Sequence, residues 1–290
     1  MKIAKVRLRQ VEGVMQHPDP FWEERLVRPV DVYPKFKAQG PGEFPKRLGQ
    51  GRYAMEAIFV EIETDEGVTG LGGPISPVVA LYIDTQLRSI LDGADPIAIE
   101  LLWDQMYRYA IHGRKGDNMM AISAVDIALW DLKGKWLGQP VHRLLGGPTR
   151  DSLSAYASCL GYSIEPEKAR ERAQQFVKEG YRHQKWFFRY GPSDGREGVA
   201  KNIELVRTLR EAVGDGVEIM LDCWNSWDVP YTIEMAYRLK EFRPYWLEEC
   251  VLADKPESYA KVHAAVRPTL IRIAGAEHEY TRWGFKMLMD

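Results

Sequence analysis

The sequence predicts an α/β protein in two parts, an N-terminal α+β region followed by the parallel βα units of a (β/α)-barrel. The strongest sign is an alternation that begins at Ser152. Short apolar runs near 153–159, 182–188, 217–222, 244–248 and 270–276 are separated by amphipathic helical patterns near 165–179, 198–213, 230–242 and 255–266. Strands alternating with helices in this way imply βαβ units around a parallel sheet. Five units without a reversal favour a barrel over an open sheet. A second sign is length: 290 residues exceed the usual size of a single domain. Length alone allows one large domain or two; with the change of pattern we expect two, 1–140 and 141–290.

The N-terminal part has a different order. Strand patterns at 2–10 and 57–64 are followed by the turn Asp65-Glu66-Gly67 and a returning strand at 68–71, which reads as a hairpin. Helical patterns follow at about 76–93, 97–109 and 118–137. Between the first two strands, residues 15–52 are rich in Pro, Gly and charge. A structureless loop of that length in a compact domain is usually functional or disordered. At the other end the strand count stops short. A closed barrel has eight strands in ~250 residues, whereas five are found here, and the last helical pattern, Arg282–Asp290, ends with the chain. The expectation is a barrel truncated after about five βα units, with its C-terminal part missing.

Composition narrows the function. The chain is 45% hydrophobic and 28% charged with a net charge of −2, values ordinary for a globular protein. That balance gives no support for a nucleic-acid or anionic-membrane partner. No run of ~20 apolar residues marks a membrane span, and the N-terminus alternates apolar and charged residues instead of forming a leader. Cys159, Cys223 and Cys250 fit neither a disulfide framework nor a zinc module. A cytoplasmic protein is expected.

Three predicted strands end in acids: Ile219-Met-Leu-Asp222, Tyr245-Trp-Leu-Glu248-Glu249 and Ile273-Ala-Gly-Ala-Glu277. In a parallel barrel the C-terminal strand ends share one face and carry function. Three carboxylates gathered there repel one another and are driven to protonate. A hard divalent cation resolves the conflict, and Mg2+ favours oxygen ligands. The plainer alternative is that these acids are loop caps.

One long stretch carries a family resemblance. Ala121-Ile-Ser-Ala-Val-Asp-Ile-Ala-Leu-Trp-Asp-Leu-Lys-Gly-Lys135, followed by Pro140-Val-His-Arg-Leu-Leu-Gly146, resembles the signature helix of the mandelate racemase/muconate lactonizing branch of the enolase superfamily. That resemblance implies an α+β lid capping a modified barrel, and Mg2+ held by Asp222, Glu248 and Glu277. The neighbours of those residues refine it. Asp222-Cys223-Trp224 and Glu248-Glu249-Cys250 stand where the superfamily commonly has Asp-x-Asn and Glu-Glu-Pro. With Gly191-Pro-Ser-Asp-Gly195 and Glu277-His278-Glu279, they resemble the rhamnonate dehydratase group. The implied reaction removes the proton α to a sugar carboxylate and expels the β-hydroxyl, giving a 2-keto-3-deoxy acid. The implied partner is a small sugar acid, and a homo-oligomer is expected.

The resemblance also frames the proton transfers. Racemases of this branch commonly carry Lys-x-Lys at the second strand end, whereas this chain reads Lys185-Trp186-Phe187. A racemase needs acid–base groups on both faces of the α-carbon, and Phe187 serves on neither. Dehydration is therefore favoured over the alternative of a racemase or epimerase. In the resembling dehydratases a His of the seventh strand is the base, and that strand would lie beyond Asp290. Within the chain, Lys185 and His278 are the catalytic candidates. Their plainer readings are a snorkelling lysine and a histidine that orients its neighbours. Arg47, Trp22 and Trp224 are substrate-binding candidates: Arg47 for a carboxylate, Trp224 as a pocket wall, and Trp22 because it follows Phe21 where the group carries a lid His. A third reading is a truncated chain without activity.

Overall fold

The structure, a computed structural model, describes residues 1–41, 44–113 and 115–290. It divides into two compact units, Met1–Gln16 with Pro45–Leu153, and His17–Phe44 with Ser154–Asp290.

The first unit is built on an antiparallel sheet. Strand β1 (Ile3–Gln16) pairs along its length with β3 (Arg52–Thr64), from Val6↔Ile62 to Gln16↔Arg52. Two shorter strands, β2 (Arg47–Gly49) and β4 (Thr69–Ile75), also pair with β3. Helix α1 (Pro77–Tyr82) continues through the π-helical turn Ile83–Leu87 into Arg88–Leu91, and α2 (Ile99–Tyr109) and α3 (Asp117–Leu137) follow. Serine and proline explain the start of α1: Ser76 caps it by accepting from the Val79 N–H, and Pro77 takes the first helical position.

Helix α3 lies on β4 at backbone contact. Its residues Ala121, Ile122, Ala124, Val125, Ala128, Leu129 and Leu132 are buried, and Gly70 and Gly72 face them. A Cβ on Gly72 would stand 2.0 Å from the Ala124 carbonyl oxygen, and one on Gly70 2.0 Å from that of Ala128. The small-on-small seam between Gly70, Gly72, Ala124 and Ala128 therefore sets the helix-to-sheet distance.

The second unit carries a parallel sheet of five strands in sequential order: β5 (Ala157–Ser158), β6 (His183–Phe187), β7 (Glu218–Asp222), β8 (Trp246–Glu248) and β9 (Arg272–Ala274). The connecting helices are α4 (Pro166–Lys178), α5 (Gly195–Val213), α6 (Val229–Leu239) and α7 (Pro256–Val266), with α8 (Thr281–Met289) after β9. This is the α/β architecture expected, with five parallel strands in barrel order. Residues alternate across a strand, and the alternation sorts chemistry here. Trp186, Leu221 and Leu247 join Leu205, Leu209, Met235, Leu239 and Val262 in the helix-side core. The intervening positions form the rows Lys185–Met220–Trp246–Arg272 and Phe187–Asp222–Glu248–Ala274.

The long segment at 15–52 departs from its expectation. It is not structureless: β1 runs on to Gln16, β2 and the start of β3 take its end, and residues 17–41 pack into the second unit. There Glu23 N–H donates to Gly161 O (2.7 Å) and Val27 N–H to Phe188 O (2.7 Å). A buried Arg25–Asp31 ion pair at 2.6 Å ties the segment to itself, and Lys37 pairs with Asp194 at 2.8 Å. Burial raises the Asp31 pKa, but the Arg25 and Arg28 guanidinium groups outweigh it and hold the carboxyl below its usual range. Periodicity is blind to such a segment because its partners are distant backbone groups. Among the described residues, no helix is long and apolar enough to cross a membrane.

The seam predicts a specific weakness. Gly72→Ala must push α3 off β4, and overpacking of this kind costs about 1–3 kcal/mol. Urea denaturation should show that loss, and unchanged stability would contradict the contact.

Candidate functional site

The C-terminal ends of β6, β7 and β8 bring three charged side chains together. Lys185 Nζ donates to Asp222 Oδ2 at 3.1 Å and to Glu248 Oε1 at 2.8 Å. The side chains of Lys185, Asp222 and Glu248 are only 8%, 6% and 14% exposed. Each carboxylate has one more donor: the Trp224 N–H to Asp222 Oδ1 at 3.0 Å, and the Trp246 indole to Glu248 Oε2 at 2.9 Å. The in-register row places Asp222 and Glu248 side by side, while Lys185, two residues before Phe187, reaches both from the same face.

One ammonium does not neutralise two buried carboxylates. For Lys185, burial is the largest influence and favours the neutral amine, yet Glu248 and Asp222 together raise its pKa and keep it charged. Asp222 would ordinarily be lowered by such a partner. Instead burial, with Glu248 adding repulsion, outweighs Lys185 and raises it. The site therefore holds excess negative charge, which is the condition for binding a cation.

A second group lies beside the first. Glu249 is 1% exposed. Asn225 Nδ2 donates to Glu249 Oε2 at 2.8 Å, and His278 Nε2 lies 3.4 Å from the same oxygen and 3.7 Å from Glu277 Oε1. Burial pushes the Glu249 carboxyl up to about 7; His278 opposes this, while Glu277, Asp222 and Glu248 add to it. The backbone at these strand ends is unusual too. Trp224, Asn225, Glu249 and Ala276 have φ of 41°, 58°, 48° and 92°. Left-handed non-glycine residues are costly and gather at sites where geometry is imposed.

The structure thus distributes the predicted site residues. Asp222, Glu248 and Lys185 come together. Glu277 falls three residues past Ala274, the partner of Glu248 in the row, and its carboxylate groups with Glu249 and His278. Trp224 lies two residues past Asp222 and is half-buried. Trp22 packs its ring against Gly161, just past β5, and donates its indole N–H to Phe44 O at 2.8 Å. Arg47 belongs to the first unit, on β2, in register with Tyr53. Phe187 is fully buried beside Asp222.

Glu249 and Asn225 are absent from the sequence expectations. The doublet Glu248-Glu249 was the available signal. Alternation alone would send the second acid toward the helices, but the left-handed turn at Glu249 redirects it toward Asn225 and His278.

Two measurements check this electrostatic picture. Lys185→Met leaves two buried carboxylates without their cation and should cost about 3 kcal/mol in metal-free denaturation; a neutral effect would refute the shared pair. For Glu249, the folded pKa of about 7 lies above the ordinary glutamate value of 4.5, so the native state binds the extra proton between them. Stability should therefore fall as pH rises through that window and level off above it. Glu249→Gln should flatten the fall, and an unchanged slope would contradict the assignment.

Comparison with known proteins places the chain. Residues 49–146 match the mandelate racemase/muconate lactonizing enzyme N-terminal domain, and residues 168–290 match the enolase C-terminal domain-like family. An L-rhamnonate dehydratase of Saccharopolyspora erythraea is 34% identical over 297 residues, covering 100% of this chain and 71% of the relative. A relative in Caldivirga maquilingensis is 35% identical over 267 residues, covering 91% of this chain and 62% of its own. The chain thus spans about two thirds of these relatives' length. A crystal structure of rhamnonate dehydratase from Gibberella zeae complexed with Mg superimposes with a TM-score of 0.81 at 32% identity, covering 99% of this chain and 68% of that one. The chain belongs to the mandelate racemase/muconate lactonizing enzyme branch of the enolase superfamily.

Proposed function

We propose that the protein is a Mg2+-dependent acid-sugar dehydratase, a lyase that removes water from a sugar acid to leave a 2-keto-3-deoxy acid. The observation that carries this reading is the pair of buried carboxylates, Asp222 and Glu248, sharing the single Lys185 ammonium. The residues fit a hard cation: the donors are carboxylate oxygens, and among the described residues four acids (Asp222, Glu248, Glu249, Glu277) stand against one ammonium. Asp222, Glu248 and Glu277 would hold the Mg2+, with Glu277, 56% exposed, free to turn toward it. When bound, the ion would stabilise the charge that develops on the substrate carboxylate as the α-proton leaves. Enolase-superfamily sites pair such an ion with a Lys or His base, and the superfamily of this chain is itself the source of that generalisation.

The chain's own residues take limited roles. Lys185 is held protonated by two acids, so it acts as a fixed positive charge beside the substrate carboxylate, not as a base. Trp224 forms a wall next to Asp222. His278, within 3.4 Å of Glu249 and 3.7 Å of Glu277, orients those groups. Phe187, fully buried at the position where a second base would stand, favours one-face elimination over racemisation. The L-rhamnonate dehydratase names of relatives point to a 6-deoxyhexonate such as L-rhamnonate as the substrate to try first.

The test is turnover. Protein expressed from its complete reading frame is assayed with Mg2+ against hexonates and 6-deoxyhexonates, detecting 2-keto-3-deoxy products. Turnover of at least one is expected, with Glu248→Gln lowering kcat/KM about 10^3-fold. Absence of turnover on every sugar acid would overturn the substrate class, and full activity in Glu248→Gln would overturn the metal set.

A further inference from the structure

We propose that Glu249, Glu277 and His278 form a second cation site, suited to a first-row transition ion such as Zn2+. The inference goes beyond the Mg2+ reading: it shares Glu277 with that set but uses Glu249 and His278, which the Mg2+ set does not need. Each of the three residues offers one ligand atom, and these atoms lie within 4.8 Å of one another.

Proximity of acids would not be enough alone. The second observation is unmet demand inside the protein. Among the described residues, Glu249 Oε1 is buried without a hydrogen-bond partner, and so is Asn225 Oδ1. Glu249 and Asn225 are 1% and 8% exposed, and Asn225 spends its amide N–H on the other Glu249 oxygen at 2.8 Å. Buried polar groups are nearly always satisfied by protein, water or an ion. Here the orphan oxygen, Oε1, shares its carboxylate with Oε2, the atom that faces His278 at 3.4 Å.

Distances favour a tetrahedral ion. Zn–N and Zn–O bonds of ~2.0–2.2 Å separate adjacent ligand atoms by about 3.4 Å. His278 Nε2 lies 3.4 Å from Glu249 Oε2 and 3.7 Å from Glu277 Oε1, so two of the three edges are already near that length. The remaining closure falls to Glu277, the most exposed of the three. Chemistry selects the ion: imidazole is a ligand for Zn2+ and its neighbours, whereas Mg2+ prefers an all-oxygen shell. Two carboxylates with a neutral imidazole balance a divalent charge. Three protein ligands leave a fourth position for water or substrate.

The experiment separates the two sites. Zn2+ binding to the full chain is measured by equilibrium dialysis in an Asp222→Asn background, which disables the Mg2+ set. One Zn2+ should remain bound, and adding His278→Ala should weaken its Kd about tenfold or more. His278 is 38% exposed, so that variant should keep its fold; Glu249→Gln, checked by circular dichroism, should show the same loss. Absence of Zn2+ binding in Asp222→Asn would overturn the proposal, leaving the orphan oxygens to water. Undiminished binding after His278→Ala would overturn it equally. Failure of the Mg2+ reading would show separately, as Mg2+ binding that Asp222→Asn leaves intact.

Discussion

The structure turns on one ammonium shared by two buried carboxylates. Lys185 contacts Asp222 and Glu248 at 3.1 and 2.8 Å. Burying an ion is expensive unless geometry and hydrogen bonds compensate, so the surrounding fold must fix all three groups closely. It does so through register. Phe187, Asp222, Glu248 and Ala274 lie in one row across four strands. A slip of one residue would exchange that row for Trp186, Leu221 and Leu247, which the helices bury. The hydrophobic core and the charged site are therefore two faces of one alternation, and neither can move without the other.

Much of this was legible beforehand. An apolar run ending in an acid, repeated at regular intervals along an alternating α/β pattern, places Asp222 and Glu248 at strand ends. The strands and helices of the second unit fall close to their expected positions, although β5 contracts to Ala157–Ser158 from a pattern spanning 153–159. What stayed hidden depends on contacts that no local pattern encodes. The pairing of Lys185 with both acids needs the β6–β7–β8 register. Glu249 needed a left-handed backbone at one residue, which periodicity does not report. The Pro- and Gly-rich segment looked like a loop because its structure consists of bonds to remote backbone carbonyls such as Gly161 and Phe188.

The left-handed residues Trp224, Asn225, Glu249 and Ala276 give the strand ends a common character. Each lies within three residues of Asp222, Glu248 or Glu277, and none is glycine. Natural sequences tend to break local rules where function requires it. The turn at Glu249 lets two consecutive acids serve two neighbouring groups, one around Lys185 and one around His278. Glu277 lies between those roles: its position in the sequence assigns it to the first group, and its carboxylate rests with the second.

The central claim is that the charge left over after Lys185 is shared belongs to a divalent cation held by Asp222 and Glu248. Calorimetric titration of Mg2+ into the purified protein and its Asp222→Asn variant tests this most directly. One saturable Mg2+ site in the wild type, lost in the variant, is the predicted result. Equal Mg2+ affinity in the two proteins, or none in either, would contradict it.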